Sequence, residues 1–468
     1  MISIKELRAY FAAHKEDMLS DLFSLSRIPS ILSEAQEGAP FGKACAEALE
    51  AARALFRREG FETELSADGS YALAYFGGRD IGKSVGIFAH TDVVPVGEDW
   101  MYTAPFTPIL KDGCAIGRGV EDNKAGVVEA LYVLKLFREK GITPARPITV
   151  FLGSNEETGM ADIEAFRRER EMPYVSIVPD GGYPFAYGEK GIARFYFTAE
   201  TPFTAISDFS GGDALNVVLD KAVACLTDAR LAHEVAAVAE GNERVTAEGK
   251  RVTATGIAAH ASTPAGSVNA ARELALALSA CPSLPDGDRA ALKNMAYLLS
   301  DTDGTVMGIK KSDPHFSPLT VANGVVRCVD GRLSFSLDIR YGTAIDSEEM
   351  VRTLAATAEE YGFSLKTLEN KAGFLLPLGS PFDKTILDVC ERHSGERPTP
   401  FLMGGGTYAR YLDNAYSMAT SVPYVADPYV CPAEGHGGAH QADEHLPIDA
   451  FLAACALVTD TVLALAAL

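Results

Sequence analysis

Apolar residues recur every three or four positions over 3–28 and again over 40–59, the spacing of helices that bury one face. The second stretch runs into Gly60, where a left-handed C-terminal cap calls for glycine. Beyond it, strand and helix patterns alternate. VGIFA (85–89), ITVFLG (148–153) and VSIVP (175–179) are short, wholly apolar strands, and AGVVEALYVLKLFREK (125–140) sets Val127, Leu131, Leu134 and Phe137 along one side of a helix that stops at Gly141. Continuous apolar strands separated by helices predict a largely parallel sheet covered on both faces.

The middle of the chain follows another rule. ARFYFTAE (193–200), KRVTATG (250–256) and RLSFSLDIR (332–340) alternate apolar and polar residues, as one-sided antiparallel strands do. DALNVVLDKAVACLTDA (213–229) and SVNAARELALALSA (267–280) carry helical spacing. The predicted class is α/β: a first domain over 1–186 with a mixed, largely parallel sheet flanked by helices, which 376–468 either completes or follows as a third domain. An inserted α+β domain with antiparallel sheet occupies 187–375.

Composition narrows the function. In 468 residues, 42 Lys+Arg face 63 Asp+Glu, a net charge of −21, so no nucleic-acid partner is expected, because phosphate recognition needs a basic surface. The eight cysteines form no CxxC pair, which fits buried thiols in a reducing compartment. The first twenty residues lack the apolar run of about 7–15 that a signal peptide needs. FLAACALVTDTVLALAAL near the C-terminus is interrupted by Asp460 and falls short of the roughly 20 residues of a membrane span. It reads as a buried amphipathic helix, and the chain as cytoplasmic with no membrane partner.

Acidic residues and histidines fall at particular places relative to the strands. His90 and Asp92 follow VGIFA, Glu156 and Glu157 follow ITVFLG, Asp180 follows VSIVP, and Asp122 stands just before the 125–140 helix. Ligands of open α/β sheets bind outside the carboxyl ends of the strands. Singly, each residue has an ordinary explanation: an N-cap for the aspartate, a solvated face for the glutamate pair. Together they crowd carboxylates at one edge, and like charges a few ångströms apart disfavour joint ionisation unless a cation intervenes. Imidazole plus carboxylate without thiolate suits zinc, manganese or cobalt. Two such ions about 3.5–4 Å apart require a bridging carboxylate and a terminal set on each side.

HTDVVPVG (90–97), GRGVEDNKAG (117–126), SNEETGM (154–160), VPDGGYP (178–184), AAHASTP (258–264) and GAHQADEHLP (438–447) resemble the ordered motifs of the co-catalytic zinc metallopeptidases. That superfamily includes carnosinases, aminoacylases, carboxypeptidase G and succinyl-diaminopimelate desuccinylase. GEKGIARF (188–195), DIRYG (338–342) and GGGTYAR (404–410) are similar to the bacterial dipeptidase V type. The resemblance implies a catalytic domain at 1–186 and 376–468 and a lid at 187–375. It implies His90 and Asp180 on one cation, Glu157 and His440 on the other, Asp122 between them, and a cis Asp122–Asn123 peptide. His436 and His445 are rival ligands to His440, which the AHQADE context favours. Asp92 is implied as hydrogen-bond partner of the His90 ring and Glu156 as general base.

The implied activity is hydrolysis of short unblocked peptides, dipeptides foremost. Two divalent cations, zinc first and manganese or cobalt next, acidify a solvent molecule held between them, and Glu156 accepts its proton. His260 is implied as donor to the oxyanion, with Asn216 as a weaker candidate. Arg340 would take the substrate's C-terminal carboxylate, for which a planar two-pronged donor is suited. Gly405 and Gly406, beside Gly404, could offer backbone N–H groups to substrate. The enlarged insert implies a monomer. The alternative activity is an N-acyl-amino-acid amidohydrolase using the same cations and base.

Overall fold

A computed structural model describes residues 2–468. The chain forms two compact units: 1–188 with 376–403 and 407–468, and 189–375 with 404–406. Each has its own hydrophobic core.

In the first unit, the helical stretch expected over 3–28 is two helices, Ile4–Ala13 and Lys15–Ser26, divided at His14, whose ring Nδ1 lies 2.8 Å from the Tyr10 carbonyl. Ser3 and Glu6 form a reciprocal cap at its start, satisfying N–H groups that the first turn leaves without partners. Helix Lys43–Arg58 follows, and Gly60 adopts φ 76° just past it. The central sheet runs in the order Glu62–Leu65, Tyr71–Phe76, Ile148–Gly153, Val85–His90, Val175–Pro179, Ala415–Met418, Ala186–Glu189. Its middle four strands are mutually parallel and its margins antiparallel. The mixed, largely parallel sheet expected from the apolar runs is therefore present.

Helix Lys124–Glu139 is buried along almost its whole circumference, not only on the stripe of Val127, Leu131, Leu134 and Phe137. The C-terminal helix Ile448–Ala466 is long and apolar enough to cross a membrane, yet 78% of that stretch is buried inside the protein. It is buried on nearly every side, so it is a core helix more than an amphipathic one. A small antiparallel sheet pairs Ile109–Lys111 with Cys114–Ile116 and that strand with His445–Pro447. It ties the segment before the Asp122 loop to the last stretch of the chain.

The second unit holds two antiparallel sheets. One runs Ile206–Ser210, Lys221–Leu226, Arg251–Thr255, Val245–Glu248; the other runs Thr320–Ala322, Arg332–Tyr341, Gly191–Ala199, Phe363–Lys371, with Val326–Val329 also on the second strand. The helix expected over 213–229 is absent: Lys221–Leu226 is a strand and the helix begins only at Ala229. Ala222, Ala224 and Leu226 are buried while Lys221, Val223 and Cys225 are not, a period of two that outweighs the helix propensity of alanine and lysine. The helix expected over 267–280 is present as Ala270–Ser279, capped by Asn269.

Candidate active site

Parallel register brings the chemistry to one edge. His90, the last residue of its strand, lies opposite Gly153, and Met418 lies opposite Pro179, so the segments carrying Asp92, Glu156, Glu157 and Asp180 all emerge at the carboxyl ends of the strands, where α/β sheets bind ligands. Asp122 ends the turn before helix Lys124–Glu139, and its peptide to Asn123 is cis. His440 comes from a loop, with φ 66°, a left-handed conformation uncommon outside glycine.

Two groups of candidate metal ligands form here and share Asp122: His90, Asp122 and Asp180, then Asp122, Glu157 and His440. Within each, the ligand atoms lie within 4.8 Å of one another. The two carboxylate oxygens of Asp122 are divided between the groups. Oδ1 lies 3.2 Å from His90 Nε2, and Oδ2 lies 3.0 Å from His440 Nε2. Asp180 Oδ2 is 3.7 Å from His90 Nε2, and Glu157 Oε2 is 3.0 Å from His440 Nε2.

The electrostatics of this cluster ask for positive charge. Burial opposes the imidazolium form of His90, but Asp122, Asp180 and Asp92 outweigh it and push its pKa well above the ordinary value; Glu157 and Asp122 do the same for His440. Burial and the Asp122 charge raise the Asp180 carboxyl to about 7, burial and the Asp180 charge push Glu156 well up, and burial and the Asp122 charge raise Glu157. Burial and mutual repulsion disfavour the joint ionisation of Asp180, Glu156 and Glu157, a penalty that a divalent metal relieves. Buried His90 Nε2, Glu156 Oε1 and Glu157 Oε1 also lack hydrogen-bond partners. The residues fit a pair of divalent cations.

Other side chains hold these groups in place. The Asp92 carboxylate accepts the N–H groups of Glu156 and Glu157, each at 3.1 Å. His90 Nδ1 lies 3.0 Å from the Asp92 carbonyl and 3.5 Å from its carboxylate, so the main chain of Asp92 is the closer partner of the ring. Asn123 accepts the His90 N–H and donates to the Pro179 carbonyl. Asp162, raised to about 6 by burial and the Asp92 charge, accepts the N–H groups of Ser154 and Asn155 and the Tyr408 hydroxyl.

Two buried acids next to the histidine segment escaped the sequence reading. Glu444 accepts Arg118 Nη1 at 2.7 Å and the N–H groups of Gly119, Glu121 and Asp122 at 2.9, 2.9 and 3.1 Å. Asp443 accepts the N–H groups of Met101 and Tyr102 and lies 2.7 Å from His436 Nδ1. Their only sequence signal is adjacency to AHQA in the run AHQADEH. His436 is thereby engaged away from the cluster. His445 is engaged as well, 2.9 Å from Asp427 and stacked on Tyr429 at 3.7 Å. Of the three histidines, His440 alone joins a ligand group.

The remaining candidates lie in the second unit. His260 Nδ1 is 3.2 Å from the Ser262 N–H and 2.7 Å from its hydroxyl. A backbone N–H can only donate, so Nδ1 accepts and the proton of the neutral ring belongs on Nε2. Asn216 is next to it, its carbonyl accepting the Ala261 N–H at 2.9 Å. Arg340 is buried and paired with Asp338, not with an acid on the surface. Gly404, Gly405 and Gly406 belong to this unit by their contacts, and a Cβ on Gly404 would meet the Ser262 Cβ at 2.7 Å, so glycine is required there for close approach.

The fold and this cluster define a class: a two-unit α/β chain with a shared-carboxylate, histidine-containing site at the carboxyl ends of a parallel sheet. The model of peptidase family M20/M25/M40 matches residues 86–464, and the chain belongs to that family of metallopeptidases. It is 26% identical over 470 residues to the "Putative dipeptidase YtjP" of Bacillus subtilis, covering 97% of this chain and 98% of that protein. It is 27% identical over 428 residues to a "Putative dipeptidase" of Staphylococcus epidermidis, covering 86% of this chain and 90% of that protein. Among solved structures, human carnosine dipeptidase 1 superposes with a TM-score of 0.64 at 14% identity, covering 100% of both chains.

Proposed function

We propose that the chain hydrolyses the peptide bond of short unblocked peptides, dipeptides foremost, with His90 and Asp180 holding one divalent cation, Glu157 and His440 a second, and Asp122 bridging. The observation that carries this reading is the division of the Asp122 oxygens between two histidines, at 3.2 and 3.0 Å. Zinc suits the donor set, with manganese or cobalt as alternatives. When bound, such a pair supplies Lewis acidity to the scissile carbonyl and lowers the pKa of a coordinated water towards about 7.

The protein's own groups then have distinct tasks. Glu156 receives a proton from the attacking water and passes it to the leaving amine; its buried carboxylate, with Oε1 unpartnered and its N–H held by Asp92, suits a base whose affinity for protons is raised. His260, with its proton on Nε2, donates to the developing oxyanion, and Asn216 supports it. Arg340 receives the substrate's α-carboxylate, and the N–H groups of Gly405 and Gly406 contact the substrate backbone. The first unit is the catalytic domain and the second a lid, in a monomer that works in the cytoplasm.

The test is stripped protein titrated with zinc or manganese in a calorimeter, followed by a panel of dipeptides, tripeptides and N-acetylated amino acids. Two equivalents and preferential turnover of dipeptides are expected. A single equivalent would refute the bridging role of Asp122, and preference for acetylated amino acids would make the chain a deacylase.

A further inference from the structure

Strand Arg332–Tyr341 carries Asp338 and Arg340 two residues apart, hence on one face of the sheet. Asp338 is fully buried and accepts Arg340 Nε on Oδ1 at 2.5 Å and Nη2 on Oδ2 at 3.2 Å. This is the side-on, two-pronged arrangement of a guanidinium and a carboxylate. It occupies the Nε and Nη2 edge of Arg340 and leaves Nη1 on the other side of the guanidinium.

A second guanidinium secures the acid. Arg194 lies directly across from Asp338 in the strand register and donates Nε to its Oδ2 at 2.9 Å, while Arg194 Nη1 reaches Glu369 at 2.9 Å. The strand carrying Glu369 shifts register between Thr367 and Glu369, the kind of irregularity that re-aims a side chain. The row therefore reads Glu369, Arg194, Asp338, Arg340, alternating in sign across three strands.

Positive charge is also gathered near Arg340. Lys190 is buried, donates to the Pro318 carbonyl at 2.6 Å, and is pulled down to about 8 by burial and then by the Arg340 charge. Asp338 is meanwhile shared between two guanidiniums. Buried ion pairs add little net stability compared with apolar packing, so this row is better explained by orientation than by folding energy.

We propose that Asp338, backed by Arg194, is a positioning residue that fixes the Arg340 guanidinium side-on, so that its outer edge selects peptides with a free α-carboxylate over those in which that group is an amide. The inference rests on the assignment of Arg340 made above. An Arg340 released from Asp338 keeps its charge but loses the fixed direction of its fork, and misplacement of about 1 Å costs up to roughly 100-fold.

The experiment compares one dipeptide with its C-terminal amide on metal-loaded protein. Asp338→Asn is expected to raise KM for the free dipeptide about 10–100-fold with kcat little changed, while kinetics on the amide stay as in the parent. Arg194→Met, which removes the bond to Asp338 Oδ2 together with that to Glu369 and leaves both Arg340–Asp338 bonds in place, shifts the same ratio in the same direction by less, and it carries the test if Asp338→Asn does not fold. Arg340→Met separates the two ideas. If it abolishes discrimination while Asp338→Asn and Arg194→Met keep the parent ratio, the positioning role is overturned and the Arg340 assignment stands. If Arg340→Met itself leaves discrimination intact, the Arg340 assignment fails.

Discussion

The buried carboxylate of Glu444 accepts the backbone N–H of Asp122 at 3.1 Å. It also accepts Gly119, Glu121 and Arg118, so the residue four positions after His440 fixes the loop that presents the shared Asp122. Ligands of a metal are themselves held by hydrogen-bonded partners whose loss typically weakens affinity about 10–100-fold. Glu444→Gln, which keeps the shape but loses the charge facing Arg118, is expected to weaken metal binding by that order. Competition against a chelator of known affinity measures it, and unchanged affinity would exclude the role.

Glu444 and Arg118 are also a fully buried ion pair, Nη1 to Oε2 at 2.7 Å; Arg118 Nε and Nη2 have no hydrogen-bond partner, and the guanidinium lies over the Trp100 ring at 5.5 Å. Glu444→Ala leaves that guanidinium buried and unpaired, a defect that costs about 3–5 kcal/mol. Urea unfolding should register it, and the double change Glu444→Ala with Arg118→Met should recover part of the loss. If the double variant is no more stable than the single one, the pair is not the source of the instability.

Glu156 and Glu157 are adjacent in sequence, yet Glu157 faces His440 at 3.0 Å while Glu156 belongs to neither ligand group. Glu156→Gln should keep two equivalents of metal and lose about 10²–10⁴-fold in kcat. Glu157→Gln should lower the metal stoichiometry first. Equal metal loss in both variants would contradict the division of labour.

His440, His436 and His445 offer a sharper discrimination. His440→Ala should bind one cation fewer, whereas His436→Gln and His445→Gln, whose rings face Asp443 and Asp427, should bind both. Metal content by elemental analysis after dialysis settles the matter. Loss of a cation from either control variant would reassign the ligand.

Much of this was legible in the chain because it depends on short-range pattern. Wholly apolar runs announced the buried parallel strands, and the polar residues directly after them had to emerge at one edge. The Lys221–Leu226 strand was not legible, since its buried face carries Ala222 and Ala224 and its other face Val223 and Cys225, which gives little contrast in polarity between faces. Glu444 and Asp443 were missed for a different reason: a carboxylate whose partners are backbone N–H groups some 320–340 positions away leaves no spacing signature. The choice of His440 over His436 and His445 depended on resemblance, because only the folded chain shows the other two rings already engaged.

Glu129 gives the protein a pH-dependent liability apart from the site. It sits on helix Lys124–Glu139 and is fully buried beside the Cys455 thiol. Burial pushes its pKa up from 4.5 to about 8, opposed only by the Cys455 thiol. The folded protein therefore keeps this proton through a range in which the unfolded chain has released it. Where the native state binds more protons, stability falls as pH rises. The penalty is absent below about 4.5, grows between the two values cited for Glu129 by up to about 1.4 kcal/mol per pH unit, and levels off above the upper one. Glu129→Gln cannot ionise, so its stability relative to the parent should increase steadily from pH 5 to pH 8. Urea unfolding of both proteins at pH 5, 6.5 and 8 gives that difference directly, with other titrating groups cancelling. A constant difference across the three values would show that Glu129 ionises in the folded protein as readily as in the unfolded one.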